Sequence, residues 1–182
     1  SGSMAGDKLA YAKGAAAHLI QHLKPTDRVA LVAYDTNVNT LAASRPVGDK
    51  RELLAQVDGL QSGSMTNLSG GWLAGLGEVQ AGMEVNAINR VLLLTDGLAN
   101  VGVSDSAQLR RIGAEYRGRG ISTTTLGFGD DFDEHLLRDV ANDAGGAFYF
   151  INSPDAAPGV FTEELGELLS VVGQNLVIEL RG

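Results

Sequence analysis

The chain has 182 residues, 44% of them hydrophobic, which suits one globular domain with a sizeable core. Its formal net charge of −8 argues against non-specific binding to nucleic acids or anionic membranes, because both need surplus lysine and arginine. The sequence has no cysteine, which excludes disulfides, thiolate metal sites and thiol nucleophiles, and no apolar run approaches the ~18 residues that span a bilayer.

The first predicted elements are an amphipathic helix and two strands. Apolar residues recur at helical spacing over residues 6–24, and Pro25 ends that stretch because proline cannot continue the hydrogen-bond ladder. The run RVALVAY, residues 28–34, is continuously apolar, which predicts a strand covered on both faces. Residues 37–44, NVNTLAAS, follow so closely that we expect them to pair antiparallel with that strand at a sheet edge.

A short helix is predicted to begin at Asp49, whose side chain can accept a backbone N–H while Glu52 reaches back as a capping box. The next helix is predicted from a stripe of large apolar residues, which are Trp72, Leu76, Val79 and Met83. The elements predicted after it are a strand at 90–97, a helix near 105–117, a strand at 122–129, a helix near 133–144, a strand at 146–152, a helix near 159–173 and the strand-like NLVIEL at 175–180.

Strands that alternate with helices predict a mostly parallel sheet with helices on both faces, which is the doubly wound, Rossmann-like α/β fold. We assign one domain to residues 1–175. Residues 176–182 are interpreted as an exit strand or the start of a following module.

Small oxygen-bearing side chains lie where ligands bind in such a sheet, outside the carboxyl ends of the strands. Ser1 and Ser3 precede the first helix, Thr66 lies in the loop before the Trp72 helix, and Asp96 follows the most apolar strand. Hydroxyls and a carboxylate suit a hard cation such as Mg²⁺. Taken separately, each residue also fits a plain structural role as a helix cap, a loop residue or half of an Asp-Gly turn.

The stretches SGSMAGDKL, MTNLSGG and LLLTDG resemble, in this order, the three segments of the metal-ion-dependent adhesion site in von Willebrand factor type A domains of bacterial type. The similarity extends to RVALVAYDT, STTTLGFG and GGAFYFIN. Because GDKL continues the first segment without a break, we interpret its two serines as native rather than as remnants of a tag.

The resemblance implies a non-enzymatic adhesion module that binds a protein partner through Mg²⁺, Mn²⁺ or Ca²⁺. It implies that Ser1 and Ser3 coordinate the metal directly, that Thr66 coordinates it or shifts with ligand state, and that Asp96 binds directly or through water. An acidic side chain of the partner would fill the open coordination position. Asn67 and Gly97 would lie at the rim of the site.

The sequence departs from the family pattern at its start. An aspartate is expected two residues before Ser1, at the end of a first strand in the middle of the sheet, and neither is present. Asp96 is then the only carboxylate of the site, so we expect weak or absent Mg²⁺ binding, and a metal-independent scaffold is an alternative function. The strands on either side of the missing central strand would have unpaired backbone N–H and C=O groups along one edge. The segment 175–180 could fill the gap, another chain could supply a strand, or the protein is longer than this sequence, which we favour.

A metal-dependent phosphoryl-transfer or hydrolytic enzyme is the less favoured alternative. An aspartate after an apolar strand, beside hydroxyl residues, is also found in phosphotransferases, but that chemistry needs a cationic group for the phosphate. Lys8 is the only nearby candidate.

Other signals are interpreted as structural. His18 and His22 have zinc-like spacing on the first helix but no third ligand is apparent. Asp133, in the acidic run that begins at Asp130, is expected to cap the following helix rather than to bind calcium. The arginines of residues 110–119 are expected on a solvated helix face or at a partner contact.

Overall fold

The computed structural model describes residues 6–63, 65–84, 86–96, 101–129, 132–151, 159–160, 162–164 and 166. The elements in chain order are α1 (Asp7–His22), β1 (Arg28–Tyr34), β2 (Val38–Pro46), α2 (Arg51–Asp58), α3 (Leu68–Ala81), β3 (Asn89–Thr95), α4 (Ser106–Gly118), β4 (Ile121–Phe128), α5 (Glu134–Asp143) and β5 (Gly145–Ile151). The described residues of 159–166 are helical and are labelled α6. Within these ranges, no helix combines the length and the apolar character that crossing a membrane requires.

The helices begin where side chains can satisfy their first backbone N–H groups. Asp105 accepts from the N–H of Gln108 at the start of α4, at 2.7 Å. Asp133 accepts from the N–H of Leu136 at the start of α5, at 2.9 Å, which confirms the predicted cap. Such caps satisfy donors that have no partner inside the helix and thereby fix where the helix begins.

Two local predictions in the first half of the chain are wrong, the first of them in part. At the start of α2, Oδ1 of Asp49 accepts from the backbone N–H of Arg51 at 3.0 Å as predicted, but the capping box is incomplete because Glu52 pairs with Arg45 at 2.8 Å instead of reaching back. The helix therefore begins at Arg51 rather than at Asp49. Met83 is not on the buried stripe of α3, because the helix ends at Ala81 and leaves the Met83 side chain 42% exposed.

The strands form two groups. β3, β4 and β5 make a parallel sheet in that order, with Asn89 opposite Ile121 at its start. β1 and β2 form a separate antiparallel pair, with Tyr34 opposite Val38 at its turn, as predicted for residues 28–34 and 37–44. The mixed α/β architecture with a parallel sheet is confirmed.

Helices cover both faces of the sheet. One face carries α3, α4 and α5, whose buried side chains pack around Trp72, Leu93 and Leu109. The other face carries α1 and α6, whose side chains pack around Ala15 and Phe128. Apolar clusters on the two faces make this a three-layer doubly wound fold.

A gap separates the two groups of strands. Among the described residues, no strand pairs with β1 on the side away from β2, or with β3 on the side away from β4. The gap is a cavity of about 760 Å³ lined by β1, β3, α1 and α3, and we call it the slot. The central strand that the family resemblance predicts would lie at this position.

Candidate metal-binding site

Two of the four predicted metal ligands lie together at the carboxyl end of the slot. Asp96 directly follows β3 and is 1% exposed, and Thr66, just before α3, is 4% exposed. Both residues line the slot. The other two predicted ligands, Ser1 and Ser3, lie outside the described residues, as does the rim residue Gly97. The structure thus places a hydroxyl and a carboxylate in the lining of one cavity.

A lysine accompanies the buried carboxylate. The Nζ atom of Lys8, in the first turn of α1, lies 3.9 Å from Oδ2 of Asp96, and the lysine side chain is 30% exposed. Gly129 makes room for it, since a Cβ atom there would lie 2.9 Å from the lysine Cε atom. The ammonium group partly balances the charge that Asp96 carries in a poorly solvated place.

The loop that carries Thr66 is held from two sides. The N–H of Asn67 donates to the carbonyl of Asp35 at 2.8 Å, and the carbonyl of Thr66 accepts from the N–H of Val101 at 3.3 Å. The Asn67 side chain accepts from the N–H of Gly70 at 3.0 Å and so caps α3. Asn67, predicted at the rim of the site, therefore also fixes the start of the helix that follows Thr66.

Gly102 lets the neighbouring loop approach α3 closely. Its φ is +80°, and a Cβ atom there would lie 2.4 Å from Oγ of Ser69 and 2.6 Å from Oδ1 of Asn67. Oγ of Ser69 accepts from the N–H of Val103 at 2.8 Å, so the serine side chain is not free to move away.

We expect Gly102→Ala to lower the free energy of unfolding by about 1–3 kcal/mol, because it combines an unfavourable φ with a steric clash. The matched control is Gly77→Ala in α3, where a Cβ atom meets nothing within 4 Å and where alanine should be neutral or stabilising by up to about 1 kcal/mol. Urea unfolding of both variants measures the difference, and equal stabilities would contradict this account of Gly102.

Tyr34 is a site residue that sequence reasoning missed. It ends β1, and its hydroxyl donates to the carbonyl of Leu94 in β3 at 2.6 Å, across the carboxyl end of the slot. Burial raises the pKa of Tyr34 well above its usual value. A hydrogen bond with Thr95 opposes that shift, and the charge of Asp96 adds to it. The available signal was a polar aromatic residue at the last position of an otherwise apolar strand.

The raised pKa of Tyr34 predicts a loss of stability at high pH. Above pH 10 an unfolded tyrosine loses the proton that the folded protein keeps, so the unfolded state is favoured by up to about 1.4 kcal/mol for each further pH unit. We expect Tyr34→Phe to remove this component, whereas Tyr116→Phe, in α4, should retain it. Urea unfolding between pH 9 and pH 11 tests this, and parallel slopes for the wild type and Tyr34→Phe would refute it.

The other sequence signals have structural partners. The rings of His18 and His22 bind the Thr162 hydroxyl and the His18 carbonyl, respectively. Arg110 pairs with Asp139 and Asp143 on the exposed surface between α4 and α5. Asp130 and Asp131, which would belong to a calcium site, lie outside the described residues. In the part of the chain that is described, no group of three or more histidine, cysteine, aspartate or glutamate residues could hold a metal.

A family model of the von Willebrand factor type A (VWA) domain matches residues 1–163. The chain belongs to this family. The match runs from the segment before α1 into α6, so it includes all four residues that the sequence predicts as metal ligands. The predicted family is confirmed.

Three proteins illustrate how this VWA domain relates to others. The uncharacterized protein sll0103 of Synechocystis sp. is 29% identical over 99% of this chain, and the chain spans 43% of that protein's length. A VWA protein from Catenulispora acidiphila has a similar structure, with a TM-score of 0.75 and 25% identity over 90% of this chain and 39% of its own. Proximal thread matrix protein 1 from the mussel byssus, solved with a zinc-occupied MIDAS motif, has a TM-score of 0.66 and 16% identity over 86% of this chain and 42% of its own.

A VWA domain implies a divalent cation at the adhesion site, and the described donors fit one in kind. The Thr66 hydroxyl and the Asp96 carboxylate are hard oxygen ligands that Mg²⁺ and Mn²⁺ accept, with water completing the shell. The nearby ammonium of Lys8 competes for the same carboxylate. The donor set therefore suits a weakly held cation that keeps several waters.

Proposed function

We propose that this VWA domain is a non-catalytic protein-binding module that engages its partner through a divalent cation. Ser1, Ser3, Thr66 and Asp96 would hold the metal, and an acidic side chain of the partner would complete its coordination. The observation that carries the proposal is the burial of Thr66 and Asp96 in one cavity, beside the first turn of α1. The two serines directly precede that turn in the sequence.

The charge of the site supports an acidic ligand. A divalent cation bound by hydroxyls, water and one carboxylate keeps a net positive charge, so it attracts a further anion. The domain as a whole carries a net charge of −8, which disfavours acidic partners elsewhere on its surface. A metal at this position would therefore concentrate acidic side chains at the carboxyl end of the sheet.

Metal titration by calorimetry, with Mg²⁺ and Mn²⁺ in turn, tests the proposal. We expect Asp96→Asn to abolish the binding heat, because it removes the buried carboxylate. Lys8→Gln should tighten binding several-fold, since it removes the competing ammonium from 3.9 Å away. Asp139→Asn, which alters an exposed carboxylate on α5, is the matched control and should leave binding unchanged.

The Lys8–Asp96 ion pair favours a second candidate, a metal-independent binding scaffold, because it balances the buried carboxylate without a cation. The same titration separates the two functions. Binding heat that Asp96→Asn removes supports the metal-dependent module. If neither the wild type nor Lys8→Gln gives binding heat, the result supports the metal-independent scaffold.

A further inference from the structure

Two histidines lie side by side at the end of α1, away from the candidate adhesion site. His18 and His22 are one helical turn apart, and their ring centroids lie 4.2 Å from each other at an interplanar angle of 42°. His22 is exposed and His18 is half-buried, so ions in the solvent can reach the pair. Lys8, which contacts Asp96, is in the first turn of the same helix, so His22 lies about 21 Å farther along the helix axis at a rise of about 1.5 Å per residue.

Each imidazole uses one nitrogen in a hydrogen bond and has the other nitrogen available. Nδ1 of His22 lies 2.8 Å from the carbonyl oxygen of His18, and a carbonyl can only accept, so this nitrogen carries the proton. Nε2 of His22 therefore has a lone pair. Nε2 of His18 lies 3.3 Å from the hydroxyl of Thr162 in α6. Within the described part of the chain, Nδ1 of His18 and Nε2 of His22 have no hydrogen-bond partner.

We propose that His18 and His22 form a second metal site, which binds a transition-metal dication of the class of Zn²⁺ and Cu²⁺. Neutral imidazole is a preferred ligand of these ions, whereas Mg²⁺ and Ca²⁺ prefer oxygen. A metal-binding histidine usually holds its second nitrogen in a hydrogen bond, and both rings already have such a bond. Two nitrogens bound to one metal at about 2.1 Å lie about 3 Å from each other, a separation that rings with centroids 4.2 Å apart can supply.

The electrostatic surroundings favour a cation at this position. His22 is the last residue of α1, and the negative end of the helix dipole stabilises positive charge there. The net charge of −8 also raises the concentration of cations around the domain. Since no third histidine, cysteine, aspartate or glutamate joins the pair among the described residues, water would complete the coordination shell. We therefore expect an ion that exchanges with the solvent.

Calorimetric titration of the full chain with Zn²⁺ tests the proposal, at about pH 7.5, where imidazole is mostly neutral. The titration is made in an Asp96→Asn background, which disables the adhesion site, and we expect saturation at one ion per chain. Adding His18→Gln or His22→Gln should weaken binding by about tenfold or more, because each removes one of the two ligands. His135→Gln, which alters an exposed histidine of α5, is the matched control and should leave binding unchanged.

NMR spectra of the imidazole nitrogens identify the ligating atoms directly. We expect Zn²⁺ to shift the resonances of Nδ1 of His18 and Nε2 of His22, and to leave both nitrogens of His135 where they are. A shift confined to one of the two rings of the pair would overturn the proposal, because it indicates binding by a single histidine.

Three calorimetric results would also overturn it. Absence of Zn²⁺ heat in Asp96→Asn shows that the pair holds no ion. Equal affinity with and without His22→Gln assigns the ion to other groups, and equal losses in His22→Gln and His135→Gln indicate non-specific binding to imidazoles. The proposed function is tested separately, since a wild type that binds Zn²⁺ at the pair but gives no heat with Mg²⁺ or Mn²⁺ contradicts the metal-dependent module and supports this second site.

Discussion

Replacing Glu164 with alanine is expected to lower the free energy of unfolding by about 3 kcal/mol or more, because it leaves a buried arginine without its counter-charge. The Glu164 side chain is 0% exposed and that of Arg90 is 12% exposed. Oε1 of Glu164 accepts from Arg90 at 2.6 Å and from the hydroxyl of Thr124 at 2.8 Å. The guanidinium also donates to Oγ of Ser122 at 3.1 Å, but that contact supplies no opposite charge.

A double substitution separates the loss of the pair from the loss of packing. Arg90→Met together with Glu164→Leu removes both charges and keeps an apolar filling, so we expect stability close to that of the wild type or above it. Urea is the suitable denaturant, because guanidinium would screen the ion pair. A Glu164→Ala variant that loses less than about 1 kcal/mol would show that the pair is solvated in solution.

The second large effect is expected at Trp72. This residue of α3 is 1% exposed, and its indole N–H donates to Oγ1 of Thr123 at 3.0 Å. We expect Trp72→Ala to lower the free energy of unfolding by about 3–5 kcal/mol, because it leaves a large cavity in the layer that connects α3 to the sheet. Far-UV circular dichroism during urea unfolding measures this loss.

Trp72→Phe separates the contribution of ring packing from that of the indole hydrogen bond. It keeps an aromatic ring in the core but leaves the fully buried hydroxyl of Thr123 without the indole donor, for an expected loss of about 1–3 kcal/mol. Combining it with Thr123→Val, which removes that hydroxyl, should recover part of the loss. If Trp72→Ala and Trp72→Phe are equally stable, the ring does not contribute the packing assigned to it.

Most of the fold could be predicted because its signals are local. The continuous apolar run of residues 28–34 matches β1 from end to end, and Asp133 caps α5 as its position indicated. The capping box at Asp49 is incomplete because Arg45 binds the carboxylate of Glu52, although Asp49 accepts the backbone N–H of Arg51. A capping-box sequence shows which hydrogen bonds are possible, but neighbouring charged side chains determine which of them form.

The contacts within the candidate site could not be predicted in the same way. Thr66 and Asp96 are predicted site residues because a family pattern gives their positions in the sequence. Lys8 beside Asp96, and Tyr34 across from Leu94, depend instead on how α1 and β1 pack against the end of β3. No spacing rule connects residues that are so distant along the chain. The same is true of Arg90 and Glu164, which are 74 positions apart.

One wall of the slot contains a natural fluorescent probe. Trp72 lines the cavity and is the only tryptophan in the sequence, so all indole emission of this protein originates at one wall of the slot. Because the ring is 1% exposed, its emission in the folded protein should lie at short wavelengths and resist quenching by acrylamide. Loss of the packing around it should shift the emission to longer wavelengths and admit the quencher. The state of the sheet can therefore be followed in the unlabelled protein.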